Sequence, residues 1–69
     1  MWQRHWWNGR WRAGRRDVYI YASPWRVEAR AGGTEGASTV QPVENEAEAL
    51  EVAQQWLATD DDWRELTVR

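Results

Sequence analysis

Sixty-nine residues without a cysteine make one small domain with a marginal core, and they exclude a disulfide scaffold, a thiolate zinc site and a cysteine nucleophile. Seven tryptophans stand in for the missing cross-links, each able to bury about 200 Å². The longest apolar runs, such as Val18 to Ala22, fall far short of the roughly 20 residues that cross a bilayer, and no signal-peptide stretch opens the chain, so a soluble, cytoplasmic protein is expected.

The net charge of −2 conceals an uneven distribution. Residues 1–16 carry Arg4, Arg10, Arg12, Arg15 and Arg16 and no acid. Residues 44–69 carry Glu44, Glu46, Glu48, Glu51, Asp60, Asp61, Asp62 and Glu65 against Arg64 and Arg69. Such asymmetry allows an anion-binding patch on an acidic protein, and it equally allows the two ends to neutralise each other in the fold. Every basic side chain is arginine, a residue suited to bidentate phosphate or carboxylate contacts and to stacking, and one that a GC-rich genome also favours.

In chain order, Asn8-Gly9 between aromatic residues is a hairpin signal, because a type I′ turn needs positive φ at both central positions. A two-residue turn there predicts an N-terminal Trp/Arg hairpin over residues 2–13, pairing Trp7 with Arg10 and Trp6 with Trp11. Trp2, Trp6, Trp11 and Ala13 then share a core face, and Gln3, His5, Trp7, Arg10 and Arg12 a basic face. The next stretch alternates Val18 and Ile20 with Tyr19 and Tyr21, then Trp25, Val27 and Ala29 with Arg26, Glu28 and Arg30. That pattern predicts a second hairpin. One register sets Ile20 opposite Val27 and Val18 opposite Ala29 on the core face, with Tyr21 opposite Arg26, Tyr19 opposite Glu28 and Asp17 opposite Arg30 on the other. Pro24 cannot adopt positive φ, so the connection from Ala22 to Trp25 is a wider loop.

After the loop "GGTEGAS", Ser38 to Gln41 read as a third strand of this 16–41 unit, ended by Pro42. Asn45 with Glu48 three residues on forms a variant capping box opening a helix over 46–58. Its buried stripe is Ala49, Leu50, Ala53, Trp56 and Leu57. Residues 60–69 read as a fresh helical turn with acids at its start, which folds Trp63 and Leu66 back onto the body. The fold class is therefore α+β: an antiparallel sheet of four or five strands, the N-terminal hairpin plus the three-stranded unit, on one C-terminal helix.

The stretch "WRVEAR" at Trp25 to Arg30 and "NEAEALEVA" at Asn45 to Ala53 resemble AP2-type domains of plants and the related arm-binding domains of phage integrases. Trp25, Glu28, Ala29 and Arg30 match the family's Trp-x-Ala-Glu-Ile-Arg strand, with Val27 where its first Ala stands. "RDVYIY" replaces an Arg-rich first strand, and the third strand lacks a Trp-Leu-Gly. Over residues 16–58 the resemblance implies three strands and a helix, with the sheet laid in the major groove of DNA. It also implies that Arg26, Glu28 and Arg30 face outward, where the alternation independently places them. Arginines so placed would pair with guanine or phosphate, and Glu28 would accept from cytosine or only hold a neighbouring arginine in place; the alternative is cross-strand salt links on a solvated face, such as Asp17 with Arg30. The alternation turns Trp25 to the core.

For Trp7, Arg10 and Arg12 the readings are arginine on phosphate with Trp7 stacking on a base or an arginine plane, or a ribbon that only extends the sheet; insertion at an anionic membrane surface is a third, which the lack of helical amphipathicity disfavours. Arg16, Tyr19 and Tyr21 complete the candidate nucleic-acid-binding set. No enzymatic motif is present: His5 lacks a visible nucleophile or carboxylate partner, Asp60 to Asp62 lack calcium-loop spacing, and "GGTEG" does not open a helix as a phosphate loop does. The expectation is a non-catalytic DNA-binding module without cofactor, metal or membrane partner. The alternative is a protein-interaction or homodimerisation module in which Trp7, Tyr19 and Tyr21 form the hot spot.

Overall fold

The structure, a computed structural model, describes residues 2–32, 36–58 and 62–66, and of Trp2 and Arg12 the backbone alone. Its elements are β1 (Trp2–Trp7), a 3-10 turn (Arg12–Gly14), β2 (Arg16–Tyr21), β3 (Arg26–Ala31), β4 (Ser38–Pro42), α1 (Glu46–Leu57) and β5 (Arg64–Leu66). The strands form one antiparallel sheet in the order β4-β3-β2-β1-β5. The helix carries the chain from the β4 edge across the sheet to the β1 edge. It packs on β2 and β3.

The expected β2–β3 register is the observed one: Ile20 opposite Val27, Val18 opposite Ala29, Tyr21 opposite Arg26, Tyr19 opposite Glu28 and Asp17 opposite Arg30. Strict alternation leaves only this register compatible with a buried face, because a one-residue slip would send Val18, Ile20 and Val27 to water. Those three side chains are fully buried and each contributes about 1.5–3 kcal/mol. Trp6 from β1 and Ala49, Val52 and Ala53 from α1 complete the core, and Trp25, Leu50, Trp56, Leu57 and Trp63 pack around it half-buried. Val52, absent from the predicted stripe, lies one turn beyond Ala49 on the same face.

The helix begins as its sequence dictates. Asn45 is extended (φ −160°) and its side chain accepts the Glu48 N–H at 2.9 Å. Glu48 reaches back to the Glu44 N–H at 3.2 Å, one residue before the usual capping-box partner. Glu46 and Glu48 in the first turn complement the helix dipole. Glu46, Glu48 and Glu51 are exposed, and the residues that α1 buries face the sheet.

The predicted hairpin over residues 2–13 does not form. β1 pairs instead with β2, Trp6 opposite Val18, His5 opposite Tyr19 and Trp7 opposite Asp17, and residues 8–15 become a loop. Two apolar partners on one face, Val18 and Ile20, outweigh the Trp11 and Ala13 that the tight turn would have offered. Trp11 is accordingly 68% exposed and Ala13 is exposed, against the core positions expected of them. The same rearrangement leaves the far edge of β1 open, and Arg64–Leu66 close it as a strand where a helical turn is predicted. Arg4 of β1 then clasps Glu65 of β5 through two hydrogen bonds of 2.7 Å. The core position predicted for Trp2, the basic role of Arg12 and the capping role of Asp60 and Asp61 lie outside the described residues or side chains.

Candidate nucleic-acid interface

Alternation along the strands gives the sheet a second face, opposite the helix. Tyr19 and Tyr21 of β2, Arg26, Glu28 and Arg30 of β3 and Val40 of β4 project there, joined by His5 and Trp7 of β1. Arg26 lies 4.6 Å from the Tyr21 ring centroid and Arg30 5.8 Å from that of Tyr19, so each tyrosine on β2 lies beneath an arginine from β3. The two tyrosine rings are 5.8 Å apart. Burial first, then the neighbouring Asp17 carboxylate, push the Tyr19 phenol above its usual range; burial and Glu28 do the same to Tyr21. Both remain neutral donors at physiological pH.

The arginines differ in how far they are engaged. Arg30 meets Glu28 at 3.3 Å, a long contact that leaves the guanidinium about half exposed. Arg26 donates to the Pro24 carbonyl at 3.0 Å and has no carboxylate within ion-pair reach among the described residues. The predicted pairing of Asp17 with Arg30 as a salt link is replaced, although the two are cross-strand neighbours. Asp17 instead binds Arg15, which donates from Nε to Oδ1 at 2.8 Å and from Nη2 to Oδ2 at 3.0 Å, and sits 2.7 Å from His5 Nε2.

This Arg15–Asp17–His5 set is the part that sequence reasoning missed. His5 and Asp17 are buried, and the imidazole stacks flat on Tyr19 at 4.1 Å. His5 does have a carboxylate partner, contrary to expectation, because β1 pairs with β2 and not with residues 10–15. Burial alone would push the Asp17 carboxyl up, but the hydrogen bonds from Arg15 and His5 together outweigh it and hold the group below its usual range.

The loop 8–15 closes one end of the face. Asn8 is its hub: the buried side chain accepts the Arg10 and Arg16 N–H groups at 3.2 and 3.0 Å and donates to the Gly14 carbonyl at 3.0 Å. Gly9 follows at φ +79°, a conformation open to glycine, with the Arg64 guanidinium 3.4 Å from where a Cβ would stand. The Asn-Gly signal is thus real, but it builds a broad loop and not a hairpin turn. Trp7 and Trp11 meet edge-on at 4.7 Å, and Arg15 lies 5.2 and 5.6 Å from their rings. Trp7 Nε1 donates to the Arg10 carbonyl at 2.7 Å, and Arg64 lies 5.9 Å from the Trp7 ring.

Of the predicted set, the structure therefore gathers Trp7, Tyr19, Tyr21, Arg26, Glu28 and Arg30 on one face, with the Arg10 backbone at its end. Arg16 is not among them. It stands on the Val18 side of β2, towards the helix. Arg15, Trp11, Arg64 and Val40 join the face without having been predicted. Among the described residues no cluster of three or more His, Asp or Glu side chains could hold a metal ion, and no helix is long and apolar enough to cross a membrane. No protein-family model matches the chain, and comparison with curated proteins and with solved structures gives no match.

Proposed function

We propose that this chain is a non-catalytic nucleic-acid-binding module that lays the outer face of β2, β3 and β4 in the major groove of double-stranded DNA. The observation that carries this reading is Arg26 and Arg30, held over Tyr21 and Tyr19 on the sheet face that α1 leaves open, with the helix carboxylates turned away. Strands about 4.8 Å apart give β2 to β4 a width of roughly 10 Å, which fits a groove about 12 Å wide; five strands, at roughly 19 Å, do not. β1, β5 and the loop 8–15 then fall over the phosphate backbone, where Arg64 is the cation at hand, Arg15 being held by Asp17 and Arg10 lying 3.9 Å from Asp62. The order β2, β3, β4, α1 is also that of the AP2-type unit which residues 16–58 resemble.

Titration of a labelled mixed-sequence duplex between about 50 and 200 mM salt tests the proposal. Each arginine on a phosphate adds about 0.9 to the slope of log affinity against log salt, so Arg26→Gln or Arg30→Gln shallows it by about one unit if that residue contacts phosphate. If it contacts a base instead, the variant weakens binding to preferred sequences by about 1–3 kcal/mol. Absence of duplex binding at the low-salt end overturns the proposal. The exposure of Trp11 (68%) and Val40 (50%) favours the second reading, an aromatic surface for a protein partner. That reading predicts a salt-insensitive self-association or complex that Trp11→Ala abolishes.

A further inference from the structure

On the helix side of the sheet, away from the proposed DNA face, a cleft of about 350 Å³ opens between β2, β3 and the tryptophans Trp56 and Trp63. Its origin is legible in β3. Beyond Val27, which fills the core, the same face continues with Ala29 and Ala31, whose side chains are too small to reach the indoles. The volume is at the lower end of the about 300–1,000 Å³ typical of small-molecule sites.

Two features of the lining define what would fit. Val18, Ala29 and Ala31 with the two indoles give an apolar slot able to take a planar ring. Arg16, exposed at the rim, has no carboxylate partner among the described residues, and its planar fork suits a carboxylate. Trp63 lines the cleft with its ring, while its Nε1–H is buried and meets no acceptor among the described residues, so its signal reports on what enters beside the ring. Asp17 and Arg30 also border the cleft, but their side chains project to the opposite face, where Asp17 meets Arg15 and His5 and Arg30 meets Glu28, so neither offsets the charge of Arg16.

We infer that this cleft binds a small aromatic carboxylate, with its ring between the sheet and the two tryptophans and its carboxylate on Arg16. The probe is 2-naphthoate, titrated into the 15N-labelled chain while the indole N–H signals are followed. The expected result is a saturable shift of the Trp63 signal, assigned by its loss in Trp63→Phe, with a Kd on the order of 0.1–1 mM for a ligand of this size. Arg16→Gln, an exposed substitution, should weaken binding about tenfold, and the neutral 2-naphthamide should bind the native chain more weakly by a similar factor. Arg26→Gln, on the other face, should leave naphthoate affinity unchanged, so the outcome is independent of DNA binding. An unmoved Trp63 signal, or equal affinity for acid and amide, overturns the inference.

Discussion

Asp17→Ala is expected to lower the free energy of unfolding by about 3–5 kcal/mol, because three hydrogen bonds to one buried carboxylate, two of them from a guanidinium, are lost together. His5, at 7% exposure, would lose its carboxylate, and Arg15 both of its hydrogen bonds to Asp17. A chain of this size has roughly 3–10 kcal/mol of total stability, so the loss brings it near the folding limit. At about 4–8 °C per kcal/mol, the thermal midpoint should fall by at least about 12 °C. The same carboxylate makes stability pH-dependent in a defined direction. Its folded-state pKa lies below the unfolded value, so its contribution is fully present above the unfolded pKa and is lost as pH falls through the folded one. The native chain should therefore weaken progressively below about pH 4, and Asp17→Asn should weaken that dependence while lowering stability at neutral pH. Denaturant unfolding between pH 2 and 7 measures both; an unchanged acid limb in Asp17→Asn would show that the group contributes nothing to it.

Asn8→Ala is expected to cost about 2–4 kcal/mol and to release the loop 8–15. Three hydrogen bonds vanish together, leaving the Arg10 and Arg16 N–H groups and the Gly14 carbonyl to find new partners. Net losses of about 0.5–1.5 kcal/mol per bond, raised where a group stays dry, give that range. The loop carries Trp11 and Arg15 onto Trp7, so the effect is not confined to stability. Near-ultraviolet circular dichroism should lose the Trp7–Trp11 contribution while the far-ultraviolet signature of the sheet persists. A full-strength aromatic signal in the variant would mean that Trp7 and Trp11 hold each other without the asparagine.

The misreadings of the 2–13 hairpin, of β5 and of His5 share one physical source. Asn8-Gly9 is a local signal, and locally it fits a tight turn; what decides its conformation is the burial of the Asn8 side chain, which depends on β1 lying against Val18 and Ile20. Pairing of β1 with β5, which joins His5 to Leu66, leaves no mark in any short window of sequence. Asp17 and His5 are twelve residues apart and become neighbours only through the β1–β2 register. Where local and global requirements agree, the sequence was legible. The β2–β3 ladder separates apolar from charged residues in a single register, and the Asn45 cap needs only its own next turn. The outward positions of Tyr19, Tyr21, Arg26, Glu28 and Arg30 followed from that ladder, whereas Arg16 was assigned by charge alone and stands on the other side.

The claim on which the functional account rests is that the face opposite α1 is the one that meets nucleic acid. Amide and side-chain chemical shifts of the labelled chain, recorded with and without a mixed-sequence duplex at low salt, test it most directly. The account predicts perturbation of Tyr19, Tyr21, Arg26 and Arg30 and of the loop 8–15, with Glu46 to Leu57 unmoved. Shifts concentrated on the helix, or none at any duplex concentration, would contradict it.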